Sequence, residues 1–362
     1  MPRAPGGGML ERPPPARGTT MHRPSRGFHH AALYAVAMCA ALATLLTAAC
    51  ADGAPKWDAR SLEATVADLP FTPIVVNSNL GVGKNRLTVA LFDDNQEFVT
   101  DAQVTATFYH LDKEPEGEPK NPQRVGDAVT LPPHTLKAVG VARLGSVMVS
   151  RLPRPALQDA GDAHIGHDST VYASTVDFDR AGFWGVSLDV KTAGKTYSGA
   201  RVVFAVQERT MEPRIGDPAI PSKQLTLADV KNIQEIDSSD TPNPELHGMT
   251  IADAIASGKP SVIAFATPAF CQTRFCGPVL DQVVTPAWND FKGSVNILHV
   301  EPYDIAKARS GSLVTVPAVQ EWKLLAEPLI FVVGRDGVIT AKFEGIMDYP
   351  ELRAAIEETL KK

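Results

Sequence analysis

From about Phe71 to Glu208, apolar and polar positions alternate in short runs bounded by turn residues, the pattern of half-buried antiparallel strands. Pro73 to Val76, Arg86 to Phe92 and Val104 to Tyr109 are three such runs, and Asp93-Asp94-Asn95 marks a turn. Strands are predicted again at Val171 to Phe178, Phe183 to Lys191 and Thr196 to Val206, with Thr192-Ala193-Gly194 as a hairpin turn. Between them, Glu114 to Pro133 carries five prolines and reads as a surface loop. Residues 209–246 read as a linker, in which Pro213, Pro218, Pro221, Pro242 and Pro244 prevent regular structure while short apolar pieces dock it. After that the pattern changes. Thr250 caps a short helix to Ser257, and Val262 to Ala266 is an unbroken apolar strand. A helix with Leu280, Val283, Val284 and Trp288 on one face follows, then strand Val295 to Val300, helix Pro317 to Leu325, and strands Leu329 to Val333 and Val338 to Phe343. A last helix opens at Asp348 and buries Leu352, Ile356 and Leu360. Unbroken apolar strands imply a sheet covered on both faces.

At the other end, Ala31 to Ala49 is 19 residues without a charge, preceded by five arginines and followed at once by Asp52 and Lys56. This is the grammar of an export signal, a basic segment followed by an apolar one. Its end, Leu45-Leu46-Thr47-Ala48-Ala49-Cys50, resembles the lipobox of bacterial lipoproteins. The resemblance implies a signal peptide over 1–49, lipidation of Cys50, a tether over 50–69, and an extracytoplasmic, membrane-anchored body. An uncleaved anchor helix is the alternative, since about 20 apolar residues span a bilayer. Met21 is a second candidate start.

Charge removes one function class. Residues 50–362 hold 30 basic against 40 acidic side chains, and no basic patch is interleaved with aromatics, so nucleic acid is not an expected partner. No phosphate-binding loop or Ser-centred triad is legible either. His164 and His167 with Asp168 read as a solvated loop rather than a metal site.

Four cysteines reduce to two that matter. Cys39 lies in the signal segment and Cys50 is the lipid site, which leaves Cys271 and Cys276 in an oxidising compartment. Lys259 to Thr267, then Phe270-Cys271, resembles the strand and aromatic-Cys pair of thioredoxins, while Phe275-Cys276-Gly277-Pro278 is similar to the start of their Trp-Cys-Gly-Pro-Cys motif. Ala326-Glu327-Pro328 resembles the segment that carries the family's cis-proline. The resemblance covers residues 247–362 and implies a thioredoxin-like α/β domain whose site comprises Cys271, Cys276 and Pro328, with Gly277 and Pro278 at the helix start. Residues 70–208, with Asp179 to Trp184 at a sheet corner, resemble an immunoglobulin-like β-sandwich. Together these imply a membrane-tethered thiol–disulfide oxidoreductase that exchanges with thiols and disulfides of envelope proteins and needs no resident cofactor.

The sequence departs from thioredoxin in two ways. Ala264 stands where the family has a buried acid, so the second thiol's proton needs another route. The Cys-x4-Cys spacing excludes a wholly helical site, because Cα atoms five apart on a helix lie roughly 8 to 9 Å from each other, beyond disulfide reach. Cys271 is therefore expected in the loop and Cys276 or Gly277 at the helix boundary. A sulfur at the helix start faces unpaired N–H groups, which makes Cys276 the attacking thiolate and Cys271 its resolving partner; alignment by the strand reverses those roles. Two other readings stand beside redox exchange. One is a structural disulfide in a non-catalytic adaptor. The other is copper binding, as in the similar Sco copper chaperones, with Cys271, Cys276 and His299 as ligands.

Overall fold

The computed structural model describes residues 69–111, 122–138 and 167–362. The expected leader, Cys50, nearly all of the tether and His164 lie outside the described residues. Among the described residues no helix is long and apolar enough to cross a membrane.

The fold is mostly β, in several sheets. Strands β1 (Thr72–Val75), β2 (Leu80–Gly81), β3 (Gly83–Phe92), β4 (Gln103–Leu111), β5 (Gln123–Leu131), β6 (Pro133–Leu136), β7 (Ser169–Phe178), β8 (Gly182–Thr192) and β9 (Lys195–Gln207) make two sheets, ordered β1-β3-β7-β6 and β2-β9-β8-β4-β5. Inward-facing side chains of both, among them Leu87, Leu91, Tyr172, Phe178, Trp184 and Leu188, enclose one apolar core. Trp184 keeps its indole N–H satisfied by donating to Arg180 O at 3.1 Å, as a buried ring of that kind requires.

The proline-rich stretch read as a surface loop, Glu114 to Pro133, is corrected in part: it contains a strand, β5, which pairs antiparallel with β4. Most β5 side chains are exposed, because it is an edge strand held by one ladder of hydrogen bonds. Val125, Val129 and Leu131 turn toward the core, but Gly126 to Ala128 between them are exposed and the β4–β5 register shifts there, so the sequence carries only a weak alternating signal.

The C-terminal third follows its predicted order with one addition. Helix α1 (Ile251–Ala256) is capped reciprocally by Thr250 and Asp253. Strand β10 (Ser261–Phe265) runs into the loop that carries Cys271, and helix α2 (Cys276–Val279) begins at the second cysteine. The helix widens into a π-turn over Leu280–Val284 and continues as α3 (Thr285–Phe291). Pro286 has no N–H for the carbonyl one turn back, a common reason for such a bulge. Then come β11 (Asn296–Val300), α4 (Ile305–Arg309, not expected from the sequence), α5 (Pro317–Trp322), β12 (Leu329–Val333), β13 (Ile339–Glu344) and α6 (Tyr349–Leu360). The sheet order is β11-β10-β12-β13, with β10 and β11 parallel and the other pairs antiparallel. Every residue of β10 and β12 is buried, and alternate side chains enter two cores: Val262, Ala264, Ile330 and Val332 in one, Ile263, Phe265, Phe331 and Val333 in the other.

The β-rich part and the C-terminal third share packed surface. Ala90, Leu136 and Val171 belong to the same apolar cluster as Cys276 and Val279 of α2 and Val283 of the π-turn. Residues 209–246 are docked, but they are not without regular structure: short 3-10 turns form at Ile233–Glu235 and at Pro244–His247, the second opened by a proline, which suits a first helical position. Trp322 donates to Ile220 O and Ser222 Oγ at 3.1 Å each, and Gly216 and Ala219 hydrogen-bond the β13 region.

Candidate dithiol site

Cys271 and Cys276 are both free thiols. The loop between them contains Arg274 in the left-handed region, φ 63°, which turns the chain back so that Cys271 comes over the first turn of α2. Cys271 is half-buried and its Sγ lies 3.2 Å from Thr273 Oγ1. Cys276 is buried completely, and the Thr267 N–H is directed at its sulfur.

The two sulfurs differ in acidity, in the sense opposite to the helix-start expectation. The Cys271 thiol is pulled down to about 6, first because the Cys276 thiol donates to it, with Thr273 hydroxyl and the N–H groups of Cys276 and Thr273 adding to this against the cost of desolvation. The Cys276 thiol is pushed far up by burial, then by its bond to Cys271 and the charge there. The helix does begin at Cys276, but the free N–H of that first residue points to the sulfur of the loop cysteine and not to its own, which reverses the expected order. Cys271 is thus the acidic, accessible thiol and Cys276 its buried partner. Gly277 and Pro278 occupy the first turn as expected, where a missing proline N–H leaves no carbonyl unpaired.

The peptide Glu327–Pro328 is cis, and this segment closes another side of the site. Thr273 Oγ1 lies 3.5 Å from Glu327 O, and Tyr303 Oη donates to Glu327 Oε1 at 3.4 Å. Burial, then the Cys271 charge, pushes the Glu327 carboxyl up to about 7. Burial and the same carboxylate push Tyr303 up to about 12. The β-rich part supplies a wall: Phe98 packs edge-on against Phe275, centroids 6.3 Å apart, and both rings lie in the cluster that Cys271 touches.

Beneath the loop lies a buried polar group that the sequence reading largely missed. Asp237 Oδ2 lies 2.9 Å from His247 Nε2 and 3.4 Å from His299 Nδ1, while His299 Nε2 donates to Ala266 O at 2.8 Å. Desolvation works against charge on both partners, yet the bonds to His247 and His299 hold Asp237 well below the usual carboxylate range, and Asp237 lifts His299 above its ordinary value. The donor atoms of Asp237, His247 and His299 lie within 4.8 Å of one another, close enough for an ion, but they already pair with each other. His299, named above as a copper ligand with the two thiols, has both ring nitrogens engaged by Asp237 and Ala266. Two residues further on, Glu301 is buried and its carboxyl is pushed up, mainly by desolvation. Glu301 follows the end of β11 directly and its carboxyl lies near enough to His299 for their charges to interact; an acid just past the strand was the available sequence signal. Of the loop read as solvated, Asp168 binds Lys137 at 2.7 Å.

The chain matches no protein-family model and no curated protein.

Proposed function

We propose that this protein is a thiol–disulfide oxidoreductase of the cell envelope, with a thioredoxin-like domain over 247–362 behind an immunoglobulin-like β-sandwich over 70–208. The observation that carries the reading is the asymmetry of the two thiols: an accessible Cys271 that ionises near pH 6 beside a buried, protonated Cys276. A structural staple has no use for that asymmetry, whereas exchange depends on it.

The Cys271 thiolate attacks a disulfide of the partner, forming a mixed disulfide and releasing one partner thiolate. Cys276 then loses its proton and attacks the Cys271 sulfur, closing the internal disulfide and releasing the second partner thiolate. Two electrons pass to the partner, and the reverse sequence oxidises a partner dithiol. Glutathione disulfide tests the order of events. Reduced Cys276→Ser protein should accumulate a mixed disulfide at Cys271, visible by intact mass, and Cys271→Ser protein should stay unmodified. Modification of neither, or of Cys276 first, contradicts the reading.

The address is part of the same proposal. Cys50 carries the lipid that holds the body at a membrane, so the protein should incorporate labelled fatty acid and Cys50→Ala protein should not. Equal membrane retention of both, without label in either, replaces the lipid with an anchor helix.

A further inference from the structure

Dithiol exchange, on which this inference rests, needs the start of α2 held in one orientation, because the thiol and the N–H that favour the Cys271 thiolate both belong to Cys276. A helix start is ordinarily fixed by a polar side chain that caps it. Here the capping position is Phe275, whose side chain makes no hydrogen bond to the helix. An apolar cap leaves the first N–H groups free, which suits a sulfur that accepts from one of them. It also leaves the orientation of the helix start to packing alone.

That packing comes from the β-rich part. Phe98 meets the Phe275 ring edge-on, centroids 6.3 Å apart, and both rings, with Cys271, pack against the apolar cluster that contains Cys276. Phe98 stands on a stiff arm, the connection from β3 to β4. Its ring centroid lies 4.7 Å from that of Phe92, and the two residues form an isolated antiparallel bridge. Val99 N donates to Leu91 O at 2.9 Å. Tyr172 Oη donates to Val99 O at 2.8 Å and accepts from Ala102 N at 2.9 Å. At the tip of the arm, Asp93 Oδ1 accepts from Asn95 N and Glu97 N. A second tie lies further along the helical run: Gln282 Oε1 accepts from Lys137 N at 2.8 Å and Gln282 Nε2 donates to Lys137 O at 3.0 Å, just past β6. The β-rich part thus grips the cysteine helix at its start and again at the π-turn.

We propose that Phe98 is a positioning residue of the dithiol site: by bracing the Phe275 ring it keeps the start of α2 turned so that Cys276 faces the Cys271 sulfur, which makes the β-rich part a working component of exchange. The groups that face Cys271 are Cys276, Thr273, Glu327 and Tyr303, all of the C-terminal third. Phe98 is apolar and acts on the thiol only through Phe275. An edge-on ring contact is comparable in strength to a shift of about half to one pKa unit, which sets the size of the effect.

The test reads the pH profile of Cys271 in the full-length reduced protein, from its alkylation by iodoacetamide followed by mass. The wild type should show its main inflection near pH 6. In Phe98→Ala that inflection should rise by about half to one unit, so that the rate at pH 6, relative to its own plateau at high pH, falls about two- to fivefold. The inflection is the readout because removing a wall also speeds the reagent's approach. Phe98→Tyr, which keeps the ring, should restore the wild-type profile. Phe71→Leu weakens the β-rich core at the ring contact with Tyr197 and should leave the profile where it was, although it lowers thermal stability. If Phe98→Ala fails to fold, Phe98→Leu, which keeps apolar bulk but removes the ring edge, carries the same expectation. An inflection unmoved in the Phe98 variants, or moved equally by Phe71→Leu, overturns this inference and leaves dithiol exchange standing. A wild-type inflection near the free thiol value of about 8.5 removes the thiol asymmetry itself, and this inference with it.

Discussion

Arg86 on β3 and Glu351 on α6 are joined by two hydrogen bonds, Nε to Oε1 at 2.7 Å and Nη2 to Oε2 at 2.8 Å, with Arg86 almost wholly buried. The same guanidinium donates to Thr88 Oγ1 and Ile346 O, and its carbon lies 5.7 Å from the centre of the Phe343 ring. A planar fork meeting a carboxylate in this way fixes angle as well as distance. It fastens the β1-β3-β7-β6 sheet to the helix that packs behind the thiol site, across an apolar cluster to which both contribute.

Arg86→Ala should therefore destabilise the whole protein by about 3 kcal/mol, because Glu351 loses its two-bonded partner and keeps only His134 Nδ1, 3.4 Å away. Urea unfolding followed by tryptophan fluorescence and by far-ultraviolet circular dichroism should give coincident single transitions in the wild type. Separate transitions for the β-rich and C-terminal parts would show that the shared cluster does not couple them.

Asp237 and His299 give stability a pH signature. Asp237 is held below its ordinary value of 3.8, so its contribution is present above that value and is lost as pH falls further. His299 is held above 6.5, so its contribution is complete below 6.5 and is lost as pH rises through the higher folded value. His247, held below 6.5 chiefly by burial, acts in the opposite sense. The difference in unfolding free energy between wild type and Asp237→Asn should therefore be largest between pH 3.8 and 6.5 and shrink at higher pH. A pH-independent difference would mean that no ion pair forms there.

Glu327 and Cys271 compete for negative charge. Near pH 7 the carboxyl titrates beside a thiolate that is already ionised. The alkylation rate of Cys271 by iodoacetamide should show a main inflection near pH 6 and a second near 7. Glu327→Gln should remove only the second. An unchanged profile would place the carboxylate out of electrical contact with the sulfur.

Most of the architecture was legible in the pattern of apolar positions, since each buried strand of the C-terminal sheet is an unbroken run and each long inner strand before it alternates. The β5 edge strand was not, because Gln123, Arg124, Gly126 and Asp127 face solvent and satisfy only backbone pairing. At the thiols, spacing put Cys271 in the loop and Pro278 put the helix boundary at Cys276 or Gly277; the helix begins at Cys276. Which sulfur the helix serves was hidden, because that depends on how Arg274 turns the loop in three dimensions. Asp237 and His247 are far in sequence from His299 and Glu301, and only the docking of the segment before the C-terminal sheet brings the two pairs together.

The central claim is that Cys271 and Cys276 form an exchanging pair, and equilibration of the full chain in glutathione redox buffers tests it most directly. Because the Cys271 thiolate is stabilised in the reduced form, the pair should titrate with glutathione at a potential above about −300 mV, the region of labile disulfides. A disulfide that glutathione cannot open in the folded protein, or a pair that never closes in oxidising buffer, would contradict the account.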